Sequence, residues 1–159
     1  TGIVLCGPSD PGFDVGRQIA KRALQSRCTL LPAQDPALLA ELIRGAGAVV
    51  IPSRRDSIPL VLGESIQLGT PVLCSDLPDL CAVLSRYHLG DVFCTGQPAA
   101  LARAMQGFKT PAHFASEAAR FLSDFSPLRA AKTFLADVRR TLGRGTHVPT
   151  EHHREAAHA

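Results

Sequence analysis

Short apolar runs alternate along this chain with stretches whose apolar residues recur at helical spacing. Residues 2–6 (GIVLC) predict a strand, followed by a turn rich in Gly, Pro and Asp over 7–12. Residues 14–26 predict a helix with Val15, Ile19, Ala23 and Leu24 on one face. A second strand follows at 28–31, then a helix over 36–44 with Asp35 as N-cap and Pro36 in its first turn, stopped by Gly45 and Gly47. The third strand is 48–51. The next helix, 59–68, is entered through Pro59 and closed by Gly69. A fourth strand at 71–74, a helix over 79–86, a short fifth strand at 91–94 and a helix starting at 98–106 complete the alternation. Beyond Thr110 the pattern turns all-helical, with helices over 112–124 and 127–142.

The strands are apolar on both faces, as a parallel sheet covered by helices on both sides requires. Strand–helix alternation at this spacing predicts an α/β fold with a Rossmann-like, doubly wound parallel sheet. Right-handed crossovers place the strand C-termini on one edge, where such sheets bind ligands. The expected organisation is one domain over 1–142 and a disordered tail over 143–159, which has Gly, Pro, Thr and His but no periodicity.

A length of 159 residues suits one domain with a real core. No apolar run is long enough for a membrane span, and no leader is visible, so the cytoplasm is the expected compartment. The net charge of +3 is slight and scattered, and Trp is absent, which argues against a nucleic-acid partner. Cys6, Cys28, Cys74, Cys81 and Cys94 are odd in number and form no CxxC pair; they read as buried free thiols. His147, His152, His153 and His158 lie in the predicted coil without a metal-ligand pattern, so no metal is expected. His88 and His113 are lone residues, read as structural or exposed.

The chemistry concentrates in residues 49–76, VVIPSRRDSIPLVLGESIQLGTPVLCSD. Asp56 lies five residues past a strand end, and Glu64 lies in the following helix, one turn after Leu60. A carboxylate accepts two hydroxyls at once, which suits a vicinal diol. The helix start near Pro59 offers N–H groups and the positive dipole end to a phosphate. Together they suggest a nucleotide-sugar. On the residues alone the simpler reading weighs more: Asp56 caps the helix and Glu64 is solvated. Arg54 and Arg55 sit in the same loop and could reach a phosphate, although a solvent-facing or salt-bridged pair explains them more simply.

The ordered set Val49-Val50-Ile51-Pro52-Ser53, Glu64-Ser65 and Gly69-Thr70-Pro71-Val72 resembles the donor-site signature of the GT-B glycosyltransferases of group 1, family 4. Similarity extends over about residues 1–140, through Ile3–Pro8 (IVLCGP), 38–51, 90–105 and 125–138. The resemblance implies the C-terminal, donor-binding domain of a glycosyltransferase that retains anomeric configuration, using a UDP- or GDP-linked sugar and no cofactor. By position, it implies that Glu64 holds the ribose hydroxyls and that Asp56, the catalytic candidate, contacts the donor sugar. Ser57, Ile58 and Leu60 would line the sugar and phosphate; Gly7 and the turn at Leu31, Pro32 and Ala33 would approach the nucleotide.

Three departures from the family pattern bear on the site. Asp56 replaces a Glu, Pro59 stands where a Gly gives an N–H, and Leu77-Pro78-Asp79 replaces a Gly-Gly turn before an acid. The resemblance also implies a central strand ending in Gly-Arg, with a Lys soon after, and neither is found before Ile3. A sheet lacking its first strand and helix is therefore expected, with a gap between neighbours. The chain is read as truncated, with an acceptor-binding N-terminal domain missing and little activity alone. Alternative readings are a non-catalytic, scaffolding module with a degenerate site, and a sugar-nucleotide epimerase of the same architecture. Peripheral membrane attachment stays open, but no amphipathic basic helix is clear enough from sequence to claim it.

Overall fold

The computed structural model describes residues 2–8 and 12–143. In chain order the elements are β1 (Ile3–Cys6), α1 (Val15–Lys21), β2 (Cys28–Leu31), α2 (Pro36–Gly45), β3 (Val49–Ile51), α3 (Leu60–Gln67), β4 (Val72–Ser75), α4 (Pro78–Tyr87), β5 (Gly90–Phe93), α5 (Pro98–Gly107), α6 (Phe114–Asp124) and α7 (Pro127–Gly143). The tail histidines and the rest of the expected coil, 144–159, lie outside the described residues. Gly143, placed in that coil by sequence, closes α7 instead.

Local chemistry sets most helix ends. Asp35 caps α2 through Oδ1, which accepts from the N–H groups of Ala37 at 2.9 Å and Leu38 at 3.0 Å. Pro36, Pro78 and Pro98 occupy first turns, where no N–H is needed. Gly69 follows α3 with φ of 82°, a conformation that costs glycine nothing. The helix expected over 14–26 ends early. Asp14 caps α1, but Ala23 enters the left-handed region at φ 53°, and the Leu24 N–H turns back to the Ile19 carbonyl at 3.1 Å. Leu24 nonetheless stays with Val15 and Ile19, lining an open apolar cleft beside α1 together with Leu5 and Phe13.

Among the described residues the strand pairings are parallel, and they form two sheets: β1–β2, and β3–β4–β5 in that order. No pairing joins the two sheets among the described residues, and the resemblance implied a gap of this kind, left by a missing central strand. Its effect on burial corrects one expectation. β4, paired on both edges, is buried at every residue. β1, paired only to β2, is exposed throughout, with Val4 51% accessible. An apolar strand is covered on both faces only if neighbours carry helices over it, and β1 lacks one such neighbour.

The core lies between the three-stranded sheet and α3, α4 and α6, with Leu62, Ile66, Val72, Leu80 and Leu89 at 0–1% exposure. Tyr87 packs edge-on against Phe121 with centroids 5.4 Å apart, and its hydroxyl donates to Asp124 Oδ2 at 2.9 Å. Gly90 faces Val72 across β4–β5 so closely that a Cβ would stand 1.7 Å from the Val72 carbonyl oxygen.

All five cysteines are free, but Cys74 alone is buried; Cys28 and Cys81 are half-buried, and Cys6 and Cys94 are exposed. The expectation of buried thiols fails where strands end, because Cys6 and Cys94 sit at the solvent edge of the sheets. His88 is exposed in the left-handed C-cap of α4. No helix among the described residues is long and apolar enough to cross a membrane.

Candidate functional site

The loop from β3 to α3 leaves the sheet at its C-terminal edge. Ser53 is half-buried there, and its Oγ donates to Asp56 Oδ2 at 3.3 Å, which ties the carboxylate back to the strand end. Arg54, Arg55, Asp56, Ser57 and Ile58 are exposed, and neither arginine forms an ion pair among the described residues. The arginine pair is thus solvent-facing, beside a carboxylate at the ligand edge.

Asp56 does not cap α3. The N-cap is Pro59, no side chain bonds the first-turn N–H groups, and the Leu62 N–H turns back to the Pro59 carbonyl at 3.0 Å. Proline lacks a side-chain acceptor, so the head of α3 keeps its positive dipole end without a protein carboxylate on it. Leu60 stands 85% exposed at that head. Glu64 lies one turn later and is exposed; among the described residues its side chain makes no hydrogen bond or ion pair. Ser65, the next residue, points inward and its Oγ donates to the Val61 carbonyl at 2.6 Å. α3 therefore anchors through Leu62, Ser65 and Ile66 and leaves Glu64 on the outer face.

The second group of candidates sits at the ends of β1 and β2. The Gly7 N–H donates to the Leu31 carbonyl at 3.2 Å, and Cys6 Sγ lies 3.4 Å from the Pro32 carbonyl, which also accepts from Gln34 Nε2 at 2.9 Å. Gly7, Leu31 and Pro32 thus form one unit. No hydrogen bond joins it to the Asp56–Glu64 unit among the described residues, which follows from the break between the sheets.

One polar device at the same edge was missed by sequence reasoning. Asp76, just past β4, accepts from the Thr95 N–H at 2.7 Å and from Thr95 Oγ1 at 2.6 Å, just past β5. The Thr95 hydroxyl, with the Thr95 N–H next, holds the Asp76 carboxyl below its ordinary range. The two residues are 19 apart, so no local pattern signals the pair. It locks together the loops that follow two neighbouring strands.

The sequence model of the "Glycosyl transferases group 1" family matches residues 3–117. The chain belongs to that family. A D-inositol 3-phosphate glycosyltransferase of Rhodococcus erythropolis is 29% identical over 146 residues, covering 87% of this chain and 33% of that protein. The enzyme of the same name from Gordonia bronchialis is 33% identical over 92 residues, covering 55% of this chain and 20% of that protein. The chain thus spans between a fifth and a third of these curated relatives. Among solved structures, a sucrose-phosphate synthase from Thermosynechococcus elongatus superposes with a TM-score of 0.69 at 22% identity, over 89% of this chain and 38% of that one. WaaG, a glycosyltransferase involved in lipopolysaccharide biosynthesis, gives 0.57 at 19% identity over 86% of this chain and 37% of that one. The fold is that of the GT-B glycosyltransferases, present here as a partial domain.

Proposed function

We propose that this group 1 glycosyltransferase chain is the donor-binding half of a cytoplasmic enzyme that transfers a sugar from a nucleotide-sugar with retention of configuration. The carrying observation is the pairing of an α3 head without a side-chain cap with a Glu64 that has no side-chain partner among the described residues, on the same exposed helix face. The diphosphate would sit against the first-turn N–H groups, where the helix dipole favours negative charge. Glu64, exposed on the helix, would accept two ribose hydroxyls. Asp56 would contact the donor sugar from the preceding loop, held by Ser53. Arg54 and Arg55 lie in the same loop and would offset leaving-group charge. Gly7, Leu31 and Pro32 would approach the nucleotide from the other sheet.

The relatives named as D-inositol 3-phosphate glycosyltransferases suggest a polyol phosphate as acceptor class. The acceptor would bind a further domain, since the chain covers only 33% of the longer match. UDP- and GDP-linked sugars are the donors to try first.

The test is isothermal titration of the chain and of Glu64→Ala with UDP- and GDP-sugars. Losing charge-assisted hydrogen bonds to the ribose should weaken binding by about 10- to 100-fold while leaving the circular dichroism unchanged. Equal affinity in the two proteins would remove Glu64 from the site. Absence of binding by the intact chain, with the fold verified, would favour a degenerate scaffolding module.

A further inference from the structure

Side chains lace the C-terminal edge of the three-stranded sheet from one strand to the next. On the β5 side, Thr95 donates to the Asp76 carboxylate through its N–H and its hydroxyl, and the Asp76 N–H donates to the Phe93 carbonyl at 3.0 Å. β4 thus stays paired with β5 as far as Ser75. Its pairing with β3 stops one residue earlier, at Ile51 and Cys74. The next residue after β3 is Pro52, which has no N–H to continue a ladder. Ser75 makes the contact there instead. Its hydroxyl donates to the Ile51 carbonyl at 3.3 Å, and at 1% exposure the residue is sealed from solvent.

Two residues beyond Ile51 the same device recurs. The Ser53 hydroxyl donates to Asp56 Oδ2 at 3.3 Å. Among the described residues neither neighbouring arginine pairs with Asp56, and Asp56 does not cap α3. Without the Ser53 bond, an exposed carboxylate on a loop would exchange among staggered rotamers. The two bonds act in series: Ser75 fixes where β3 ends, and Ser53 fixes the carboxylate against that end.

We propose that Ser75 and Ser53 are positioning residues for Asp56, with the buried strand β4 as their anchor. That role rests on the reading of Asp56 as the contact to the donor sugar. A carboxylate already held in one rotamer loses less freedom when it accepts a sugar hydroxyl. Part of the donor affinity would then reside in a serine inside the sheet. A Ser75 that only satisfies a buried carbonyl would affect stability and leave Asp56 untouched.

The test reads Asp56 directly and through the donor. In the isotopically labelled chain, the three-bond Hα–Hβ couplings of Asp56 should be those of one staggered rotamer. They should average in Ser53→Ala and in Ser75→Ala, and return in Ser53→Thr, which keeps the hydroxyl. By calorimetric titration, each alanine variant should bind UDP- or GDP-sugar about fivefold more weakly and the bare nucleotide as before. In an Asp56→Ala background neither serine change should weaken sugar-nucleotide binding further. Couplings already averaged in the intact chain, or unmoved by Ser75→Ala, would overturn the proposal. So would an equal loss for nucleotide with and without sugar, or a loss that persists without Asp56. If the intact chain binds no donor, the donor reading fails by itself and the couplings still decide whether the serines hold Asp56.

Discussion

The Thr70 hydroxyl donates to the Ile43 carbonyl at 2.7 Å, with both residues buried. This bond joins the entry to β4 to the last turn of α2, across 27 residues of sequence. Thr70 belongs to the Gly-Thr-Pro-Val string that carries much of the family resemblance, yet its role is structural. Its Cβ branch fits the packed site while its hydroxyl satisfies a helix-end carbonyl. Thr70→Val keeps the shape and removes the donor. Because the Ile43 carbonyl also accepts from the Ala46 N–H at 3.1 Å, the expected loss is modest, about 1–2 kcal/mol. Urea titration should show a lower midpoint with an unchanged slope, and donor affinity should be unaltered.

Two glycines should respond to alanine with opposite signs. At Gly90 a Cβ would meet the Val72 carbonyl oxygen at 1.7 Å, and that oxygen is backbone inside the sheet. Gly90→Ala should cost more than about 4 kcal/mol or prevent folding, because β5 must leave β4. At Gly63, inside α3, a Cβ meets nothing within 4 Å. Gly63→Ala should raise stability by about 0.5–1 kcal/mol through helix propensity alone. Thermal melts of the two variants side by side would check both.

Elements carried by local chemistry were legible before the fold was seen. Asp35–Pro36 opens α2, Gly69 closes α3, and the apolar runs become β2, β3 and β4 within a residue. The end of α1 was not legible, because nothing in Ala23 marks a left-handed residue; the turn is imposed by the return to β2. Burial of β1 was overestimated because an apolar run reports what a strand could bury, whereas its cover depends on a neighbour. In the site, Asp56 and Glu64 lie where spacing put them, on a loop and an outer helix face. What the sequence could not supply were the contacts between distant residues, such as Asp76 with Thr95 across two strand ends.

The Tyr87–Asp124 bond should give stability a dependence at both ends of the pH scale. The hydrogen bond from Tyr87, and then Arg129 and Arg86, hold the Asp124 carboxyl below its ordinary range. A carboxyl lowered on folding contributes stability above its unfolded value, lost as pH falls through its folded value. Burial, with the bond to Asp124 next, pushes the Tyr87 hydroxyl up. That contribution is complete below the unfolded tyrosine value and is lost as pH rises through the folded one. Unfolding free energy measured against pH should therefore decline on both limbs. Tyr87→Phe should flatten both; an unchanged acid limb would place that dependence on another carboxylate.

Thiol labelling should separate the cysteines by position in the fold. Burial, with Cys81 nearby as a smaller cause, pushes the Cys74 thiol up to about 12, so almost no thiolate is present at neutral pH. Cys74 should resist alkylation until the chain unfolds, whereas the exposed Cys6 and Cys94 should react first. Mass spectrometry of peptides after brief treatment would assign each rate. Cys6 adjoins Gly7 and lies 3.4 Å from the Pro32 carbonyl, inside the unit proposed to approach the nucleotide. A bound nucleotide-sugar should therefore slow labelling of Cys6 and leave Cys28 unchanged. Equal Cys6 rates with and without a donor that titration shows to be bound would confine the donor to the β3–α3 side of the break.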